Sequence, residues 1–342
     1  MTDETLAGAL RERGVPVRWI DAYESYAQRL TENGVPVIFE LKHLAILTEI
    51  DLSFVLSCVY ATNIHYRIFI IPKKTGGTRE ICAPLPALLS IQRWINHQIL
   101  EKFAVSEFAH AYVNGRSIVS HAQNHRSGRV LLKMDLQNFF GSITLSMVLG
   151  IFRAAGYSRN LSFDLAKICT LGDFAPQGAA TSPSISNIIF YHIDQAIGSI
   201  CAKNELIYSR YSDDICISGR HISKEIIATL RELIESNGFA INDKKTKLAT
   251  SAGRRIVTGI SIGSGRMLPT RAFRKDVKRR LARIRKIGVN SAMVEDGDPF
   301  VLDRLVGKLH FWSHIDPDNK RIRVALNEMI SLAKGESQTT GT

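Results

Sequence analysis

Two adjacent aspartates, Asp213 and Asp214, lie between two short runs of strand-forming residues in the stretch YSRYSDDICISG (208–219). Strand-forming runs on both sides of a tight turn predict a β-hairpin with the two carboxylates at its tip. Neighbouring like charges repel each other, so this placement is favourable at a turn in water or where a divalent cation offsets the charge. The remaining sequence has to distinguish these two environments.

The order of elements around this hairpin predicts an α+β fold. A buried strand, RVLLKMDL (129–136), ends in Asp135 and is followed by helical segments, a loop and the long helical run ISNIIFYHIDQAIGSICAKN. The hairpin comes next, and the amphipathic helix 223–238 follows it. The order β-α-loop-α-β-β-α-β is typical of the ferredoxin-like split arrangement, with helices on one face of a sheet. In that arrangement Asp135 can lie beside Asp213 and Asp214.

Three such carboxylates form the oxygen-ligand set that Mg²⁺ prefers, because Mg²⁺ keeps several waters and shares its shell with substrate phosphates. Two ions roughly 3.5–4 Å apart can hold both the attacking and the leaving oxygen of an in-line phosphoryl transfer. The alternative for an isolated Asp-Asp pair is a plain turn, since Asp is common in turns. Apolar strands on both sides of the pair favour the metal interpretation. We therefore predict two Mg²⁺ ions, with Mn²⁺ as a substitute.

The charge balance indicates a polyanionic partner. The 342 residues carry a net charge of +12, which favours nucleic acid or an anionic membrane over a basic protein that is merely soluble. No apolar run approaches the roughly 20 residues needed to span a bilayer, and the start MTDETLAGALRERG lacks the apolar core of a signal peptide. The five cysteines are scattered without a C-x-x-C spacing. We expect a cytoplasmic protein with reduced thiols and no membrane partner.

Four stretches resemble, in the same order, the motifs of reverse transcriptases. RYSDDICIS resembles their Y-x-D-D box, and LLKMDLQNFFGSI resembles their first carboxylate motif. APQGAATSPSISN resembles their P-Q-G-x-x-x-S-P motif, and IPKKTGGTREICAP resembles their fingers hairpin. Four ordered boxes are far more specific than a single Y-x-D-D. The resemblance implies an RNA-directed DNA polymerase with a right-hand fold of fingers, ferredoxin-like palm and helical thumb.

The resemblance also implies a role for individual residues. Asp135, Asp213 and Asp214 are the implied catalytic and metal-binding side chains, and the Leu136 carbonyl is the implied extra metal ligand. Phe140 stands where the family keeps its ribose gate, a ring that would collide with a 2′-hydroxyl. The implied nucleotide-binding residues are Lys73, Arg79, Leu136, Phe140, Gln177, Gly178 and Lys245.

Basic side chains near the triphosphate are part of this expectation. Arg79, with Lys73 nearby, would clamp the triphosphate through charge-assisted hydrogen bonds. The alternative for the lysines of this turn is that they are simply solvated. A positioned lysine near the pyrophosphate could act as a general acid, and Lys244 is the alternative to Lys245 in that role.

Two further stretches resemble the retron reverse transcriptases of bacteria in particular. NGRSIVSHAQNHRSGR (114–129) resembles their N-A-x-x-H box, with His121 in the place of the Asn and His125 matching the last position. RRIVTGISI carries their V-T-G box. The RNA-binding residues that this resemblance implies are His121, His125, Val257, Thr258 and Gly259. The alternatives for the two histidines are a polar i, i+4 pair on a helix or half of a zinc site, which no further Cys or His cluster completes.

The segment RAFRKDVKRRLARIRKIG predicts a basic helix with one apolar face. Such a helix fits an RNA-holding thumb, because phosphate contacts supply salt-dependent affinity without reading sequence. The alternative is a solvated charged helix. The apolar positions are Phe273, Val277, Leu281, Ile284 and Ile287. The residues of this helix that we expect to bind RNA are Arg274, Lys278, Arg279, Arg280, Arg283 and Arg285.

The retron resemblance implies a specific reaction. Such enzymes bind a structured non-coding RNA, prime from the 2′-hydroxyl of an internal guanosine and use deoxynucleoside triphosphates to make a branched, RNA-linked single-stranded DNA (msDNA). They serve in anti-phage defence, usually with an accessory effector protein. The alternatives are a group II intron-like or other bacterial reverse transcriptase, and a non-catalytic RNA-binding scaffold of the same fold. The expected regions are N-terminal helices (1–64), fingers (65–128), palm (129–262), basic thumb (263–334) and a disordered tail (335–342).

Overall fold

A computed structural model describes most of the chain. The described residues are 8, 10–72, 76–250, 253–263 and 266–335. The predictions for Lys73 in the fingers turn and for residues 336–342 of the tail fall outside these ranges. No helix within the ranges is long and apolar enough to cross a membrane.

Three helices precede the first strand and pack on the body of the molecule. Their bounds are Val17–Glu32 (α1), Leu41–Thr48 (α2) and Leu52–Tyr60 (α3). Leu30, Leu44 and Val55, one from each helix, are fully buried in the same apolar cluster as the central strand. The N-terminal helices and the central sheet therefore share one core.

A two-stranded antiparallel hairpin follows and reaches into solvent. Strand β1 (Tyr66–Pro72) pairs with β2 (Thr78–Pro84), and all but the first residue of β1 are exposed. The N–H of Cys82 donates to the Gln177 carbonyl at 2.8 Å, which holds β2 to the P-Q-G loop. The next two helices in the chain are α4 (Pro86–Gln98) and α5 (Ile118–Asn124).

An antiparallel sheet forms the centre of the molecule, in the order β4-β5-β3-β6, with β7 also pairing with β3. Its strands are β3 (Val130–Gln137), β4 (Ile207–Tyr211), β5 (Asp214–Gly219), β6 (Ala240–Ile241) and β7 (Lys247–Ala249). The helices between them are α6 (Leu145–Ala154), α7 (Arg159–Cys169), α8 (Ser182–Lys203) and α9 (Lys224–Ser236). Both the element order and the strand order are the ferredoxin-like ones that the sequence predicts.

Side chains alternate along each strand, so the central sheet has two different faces. Leu132 and Ile217 point to the helices and are buried in the main apolar cluster. Leu131 and Cys216, one residue out of phase with them, are buried in a second cluster with Ala122 of α5. The carboxylates of β3 and β5 follow this second phase, on the face that the long palm helices leave open.

A small three-stranded sheet connects the palm to a bundle of four helices. Its strands, in the order β10-β9-β8, are β8 (Ile256–Val257), β9 (Ile260–Ser261) and β10 (Leu268–Pro269). The helices are α10 (Arg271–Ile287), α11 (Val289–Asp296), α12 (Val301–Ile315) and α13 (Lys320–Ala333). Val277, Leu281 and Ile284 of α10 are buried in an apolar cluster of the bundle's own, so the predicted apolar face of this basic helix is confirmed.

Candidate active site

Pairing between β3 and β5 brings the three predicted catalytic aspartates together. Asp135 is the Cα partner of Asp214 in the antiparallel register, and the N–H of Leu136 donates to the Asp213 carbonyl at 3.0 Å. Asp213 follows Ser212, whose φ of 58° turns the chain between β4 and β5. Carboxylates from distant parts of the sequence thus meet at one end of the central sheet.

These aspartates lie in an open cleft of about 1200 Å³ between the fingers hairpin and the palm. The predicted nucleotide-binding residues that line this cleft are Arg79, Leu136, Phe140, Gln177 and Lys245. Phe139 also borders the cleft, but it is only 4% exposed and packs in the core. Of the two neighbouring rings, the one assigned to the ribose gate is therefore the more exposed.

The main chain at Gly178 packs closely against the backbone of strand β2. The resemblance implies that this glycine lets the main chain come close to a nucleotide. Its φ is +123°, and a Cβ atom built on it would lie 2.7 Å from the carbonyl oxygen of Cys82. Glycine is thus needed for the P-Q-G loop to pack against strand β2. Its contact with a nucleotide stays a prediction.

Lysines stand beside two of the three carboxylates. The Nζ atom of Lys245 donates to both oxygens of Asp135, at 2.9 and 2.8 Å. The Nζ atom of Lys133 lies 3.6 Å from the Oδ1 atom of Asp214. Burial raises the pKa of Asp213, and the neighbouring negative charges of the other two aspartates raise it further. The cleft therefore concentrates negative charge, which the two ammonium groups offset in part.

The donor set of the cleft fits divalent cations. Among the described residues, no group of three or more His, Cys, Asp or Glu side chains is arranged so that it could hold a metal ion. The three aspartates nevertheless present hard oxygen ligands to one space, and their mutual repulsion is what a cation would relieve. That repulsion adds to burial, the larger cause, in raising the pKa of Asp213. Mg²⁺ and Mn²⁺ both suit ligands of this kind.

Three non-glycine residues with positive φ line the same cleft. The φ values are 61° at Tyr112, 48° at Asn138 and 58° at Ser212. The hydroxyl oxygens of Tyr112 and Ser212 lie 3.3 Å apart, and the Tyr112 ring stands beside Phe140 with centroids 6.5 Å apart. Backbone strain of this kind persists where the surrounding structure enforces it, often at functional sites. No pattern in the sequence pointed to Tyr112.

A buried ion pair supports the catalytic turn from the helix side. Arg210 and Asp194 are both fully buried, and the guanidinium donates to the two carboxylate oxygens at 2.9 and 2.7 Å. Arg210 also donates to the Ser212 carbonyl at 3.1 Å and lies over the Phe190 ring. The sequence holds one signal for this pair, a lone arginine inside a predicted strand, which requires a partner of opposite charge where the strand is buried.

Comparison with known proteins identifies the family. The sequence profile of the reverse transcriptase (RNA-dependent DNA polymerase) family matches residues 71–289. The retron Ec86 reverse transcriptase of Escherichia coli is 32% identical over 260 residues, which cover 75% of this chain and 81% of that protein. The chain belongs to the retron reverse transcriptases. The retron Mx162 reverse transcriptase of Myxococcus xanthus is 29% identical and covers 96% of this chain and 71% of its own.

The protein is therefore an RNA-directed DNA polymerase with a right-hand polymerase fold, as the four ordered boxes imply. Among solved structures, telomerase from Candida albicans in complex with a fragment of telomeric RNA aligns with 80% of this chain and 64% of its own. That alignment has 9% identity and a TM-score of 0.47, which is too low to support any further conclusion.

The histidines of the retron reverse transcriptase's H-A-x-x-H box lie inside the molecule. His121 and His125 are 0% exposed, and Val257 of the V-T-G box is also 0% exposed. The prediction that these three side chains contact RNA is therefore wrong in this structure. Thr258 is half-buried and Gly259 is exposed, so RNA contact at the tip of this turn stays a prediction.

Most of the thumb arginines that we expect to bind RNA make ion pairs within the protein. Arg279 and Arg280 contact Asp276, at 2.7 and 3.1 Å. Arg283 pairs with Glu295 and Asp296, and Arg285 with Glu328. The two remaining predicted residues are Lys278, which is exposed, and Arg274, which is half-buried. Charge on one face of this helix is thus already partly neutralised.

Proposed function

We propose that this retron reverse transcriptase binds a structured non-coding RNA, primes from the 2′-hydroxyl of an internal guanosine and synthesises msDNA with two divalent cations. The observation that carries the proposal is the meeting of Asp135, Asp213 and Asp214 in one cleft beside Phe140. Similarity to retron reverse transcriptases supports msDNA as the product and disfavours the alternative of a group II intron-like enzyme. The three intact carboxylates argue against a purely RNA-binding scaffold.

The side chains of the cleft suggest how the reaction is organised. Asp135, Asp213 and Asp214, with the Leu136 carbonyl, would hold the cations. Bound cations would lower the pKa of the attacking hydroxyl and neutralise charge on the leaving pyrophosphate. The Lys245 ammonium lies beside Asp135 and would donate a proton as the pyrophosphate departs.

The remaining residues of the cleft would select and hold the nucleotide. Arg79 projects from the exposed fingers strand and can make charge-assisted hydrogen bonds to the triphosphate. Phe140 would exclude a ribonucleotide, because its ring would collide with the 2′-hydroxyl. Gln177 lines the same space, and its own carbonyl is held by β2. These contacts would orient the α-phosphate for attack.

RNA would bind along the thumb and at the V-T-G turn. Lys278 and Arg279 are exposed on α10, and the net charge of +12 favours a polyanion. Structured RNA would be selected by shape and by unpaired loops. We extend the proposal to Mg²⁺ as the working ion, a cytoplasmic setting, and anti-phage defence with an accessory effector protein, as the retron resemblance implies.

The test uses protein purified with its co-expressed neighbouring genome segment. After RNase digestion, the proposal expects a discrete DNA that stays attached to an RNA fragment, and none from the Asp213→Asn/Asp214→Asn variant. Extension of a DNA primer on an unrelated RNA template is measured in parallel. If wild type extends the primer but carries no linked DNA, the proposed product is wrong while polymerase activity stands. If the variant extends the primer as well as wild type, the carboxylate assignment is wrong.

A further inference from the structure

Helix α5 lies directly behind the catalytic hairpin. It begins at a capping box, in which the Ser117 hydroxyl accepts from the N–H of Ser120 and the Ser120 hydroxyl accepts from the N–H of Ser117. His121 lies on its buried side, and His125 ends the helix. The capping box stabilises the first turn of this seven-residue helix, which helps to fix the positions of the two rings.

The two rings join the strands of the catalytic hairpin to each other. His125 has its Nδ1 atom 2.8 Å from the Ser218 hydroxyl of β5 and its Nε2 atom 2.8 Å from the Ser209 hydroxyl of β4. His121 has its Nδ1 atom 2.7 Å from the same Ser209 hydroxyl. A single imidazole therefore bridges β4 and β5, and a second one holds the bridging hydroxyl.

The chemistry of this bridge favours neutral rings. A neutral imidazole offers one N–H donor and one acceptor, and each serine hydroxyl can turn to match whichever it meets. Burial lowers the pKa of His125 to about 3 and that of His121 to about 2. Because both rings stay uncharged, they add no charge that would compete with the cations of the nearby cleft.

The bridge crosses the catalytic hairpin diagonally, because Ser209 pairs with Cys216 and Ser218 pairs with Ile207. Ser209 lies four residues before Asp213, and Ser218 lies four residues after Asp214. Side chains four residues apart on a strand point to the same face, so Ser218 and Asp214 share one face of β5. A change in the spacing of the strands at the serines would therefore be passed along both strands to the aspartates.

The other side of α5 contacts the V-T-G turn. The Thr258 hydroxyl donates to the Ile118 carbonyl at 3.4 Å, and Thr258 holds a strained φ of 43°. Ala122 is buried in one apolar cluster with Val257 of that turn and Cys216 of β5. Helix α5 is thus clamped between the connector to the thumb and the catalytic hairpin.

We propose that His121 and His125 are positioning residues for nucleotidyl transfer, which fix the catalytic hairpin from behind through Ser209 and Ser218. The inference depends on the polymerase activity of the family and on no part of the msDNA proposal. It differs from direct RNA contact, which the burial of both rings excludes. It also differs from plain core packing, because it requires the ring nitrogens and both serine hydroxyls.

The test compares variants in extension of an annealed DNA primer on an RNA template, with thermal unfolding measured for each. The core variants are His125→Asn, which has no atom at the Nε2 position and so loses the contact with Ser209, Ser218→Ala, which loses the Nδ1 contact, and the double variant. His310→Asn/His314→Asn is the matched control, because those histidines have the same i, i+4 spacing but are exposed on α12. His121→Ala and His121→Asn form a second pair, since an Asn amide can replace the Nδ1 contact with Ser209.

Misplaced aspartates should slow the chemical step without weakening binding. We expect His125→Asn and Ser218→Ala each to lower kcat by roughly 10-fold or more. The KM for deoxynucleotides and the Kd for primer–template should stay within about twofold of wild type. The kcat of the double variant should be no lower than that of the less active single variant, because either change alone already breaks the bridge between β4 and β5. We expect His121→Ala to lower kcat and His121→Asn to retain most of the wild-type value.

Three results would overturn the inference. The first is a folded His125→Asn protein with the kcat of wild type. The second is a double variant in which the two losses multiply, since independent effects would mean that the ring does not act through Ser218. The third is a loss confined to the Kd for primer–template, which would indicate a binding role. If His125→Asn fails to fold, the milder Ser218→Ala and Ser209→Ala variants decide the same question.

Discussion

The ammonium of Lys245 is anchored on the carboxylate of Asp135, 2.9 and 2.8 Å from its two oxygens. The backbone explains why Lys245, and not Lys244, contacts Asp135. The N–H of Asn242 donates to the Asp135 carbonyl at 2.8 Å, and a turn from Asn242 to Thr246 then directs Lys245 into the cleft. The sequence left Lys244 and Lys245 as alternatives, and this turn favours Lys245.

Lys245→Ala should slow nucleotide addition by about 10²-fold or more, the usual contribution of a general acid. Lys244→Ala is the matched control, because its side chain is equally exposed and adjacent in sequence. Single-turnover primer extension at saturating deoxynucleotide measures the chemical step. Equal rates for the two variants would contradict the assignment of the proton donor.

Arg210→Met should lower the free energy of unfolding by about 3–5 kcal/mol, because it leaves the buried Asp194 carboxylate without its partner. The exposed pair of Arg231 and Asp243 supplies the control, and Arg231→Met should cost no more than about 1 kcal/mol. Urea denaturation followed by circular dichroism measures both. Adding Asp194→Leu to Arg210→Met should recover part of the loss, and a further loss would contradict the buried-charge explanation.

Lysines, more than arginines, should carry the salt dependence of RNA binding by the thumb. Lys275 and Lys278 are exposed on α10, and no ion pair joins either to an acidic side chain in the described part of the chain. Replacing both with Gln should reduce the slope of log Kd against log salt by about 2. Replacing Arg283 and Arg285 with Gln should change it less, because their charges are offset by Glu and Asp. Filter binding at several salt concentrations measures both slopes, and equal slopes for the two variants would be evidence against this division.

Stability should fall in mild acid because of the buried histidines. The folded-state pKa values of about 3 for His125 and about 2 for His121 are below the value of an unfolded histidine, about 6.5. The unfolded chain therefore takes up protons first as the pH falls. The contribution of these histidines to the free energy of unfolding is complete above about pH 6.5. Below that pH it declines by up to about 1.4 kcal/mol per pH unit for each histidine.

Urea unfolding at about pH 7 and about pH 5.5 tests this dependence, in a range where most carboxylates stay ionised. His125→Asn should flatten the decline, since it removes one of the titrating groups. The exposed pair His310→Asn/His314→Asn should leave the decline unchanged. A wild-type protein equally stable at both values would mean that the two rings are protonated in the folded state.

Phe140→Val should raise ribonucleotide incorporation relative to deoxynucleotide incorporation by about 10-fold or more, because the collision with the 2′-hydroxyl is relieved. Phe139→Leu is the control, since that ring is buried and should affect stability without affecting sugar choice. The ratio of kcat/KM values for the two nucleotides is the measurement. If Phe139→Leu shifts the sugar preference and Phe140→Val does not, the assignment of the gate to Phe140 is wrong.

Much of this protein could be predicted because the relevant information is local. The alternation along LLKMD, the hairpin around Asp213 and the apolar face of α10 each depend on residues within a few positions of one another. The same local order predicts the ferredoxin-like palm, and from it the meeting of Asp135 with Asp214. Motif order then pointed to the polymerase family that the comparisons confirm.

Other properties depend on which distant side chains pack together, and these came only from the folded molecule. A histidine in an H-A-x-x-H box reads as exposed and polar until Ser209 and Ser218 are placed against it. Arginines on α10 read as RNA ligands until acidic side chains of α11 and α13 are placed beside them. Burial and pairing are decided between elements far apart in sequence, so spacing along the chain fixes where a charge stands on its helix but not what neutralises it.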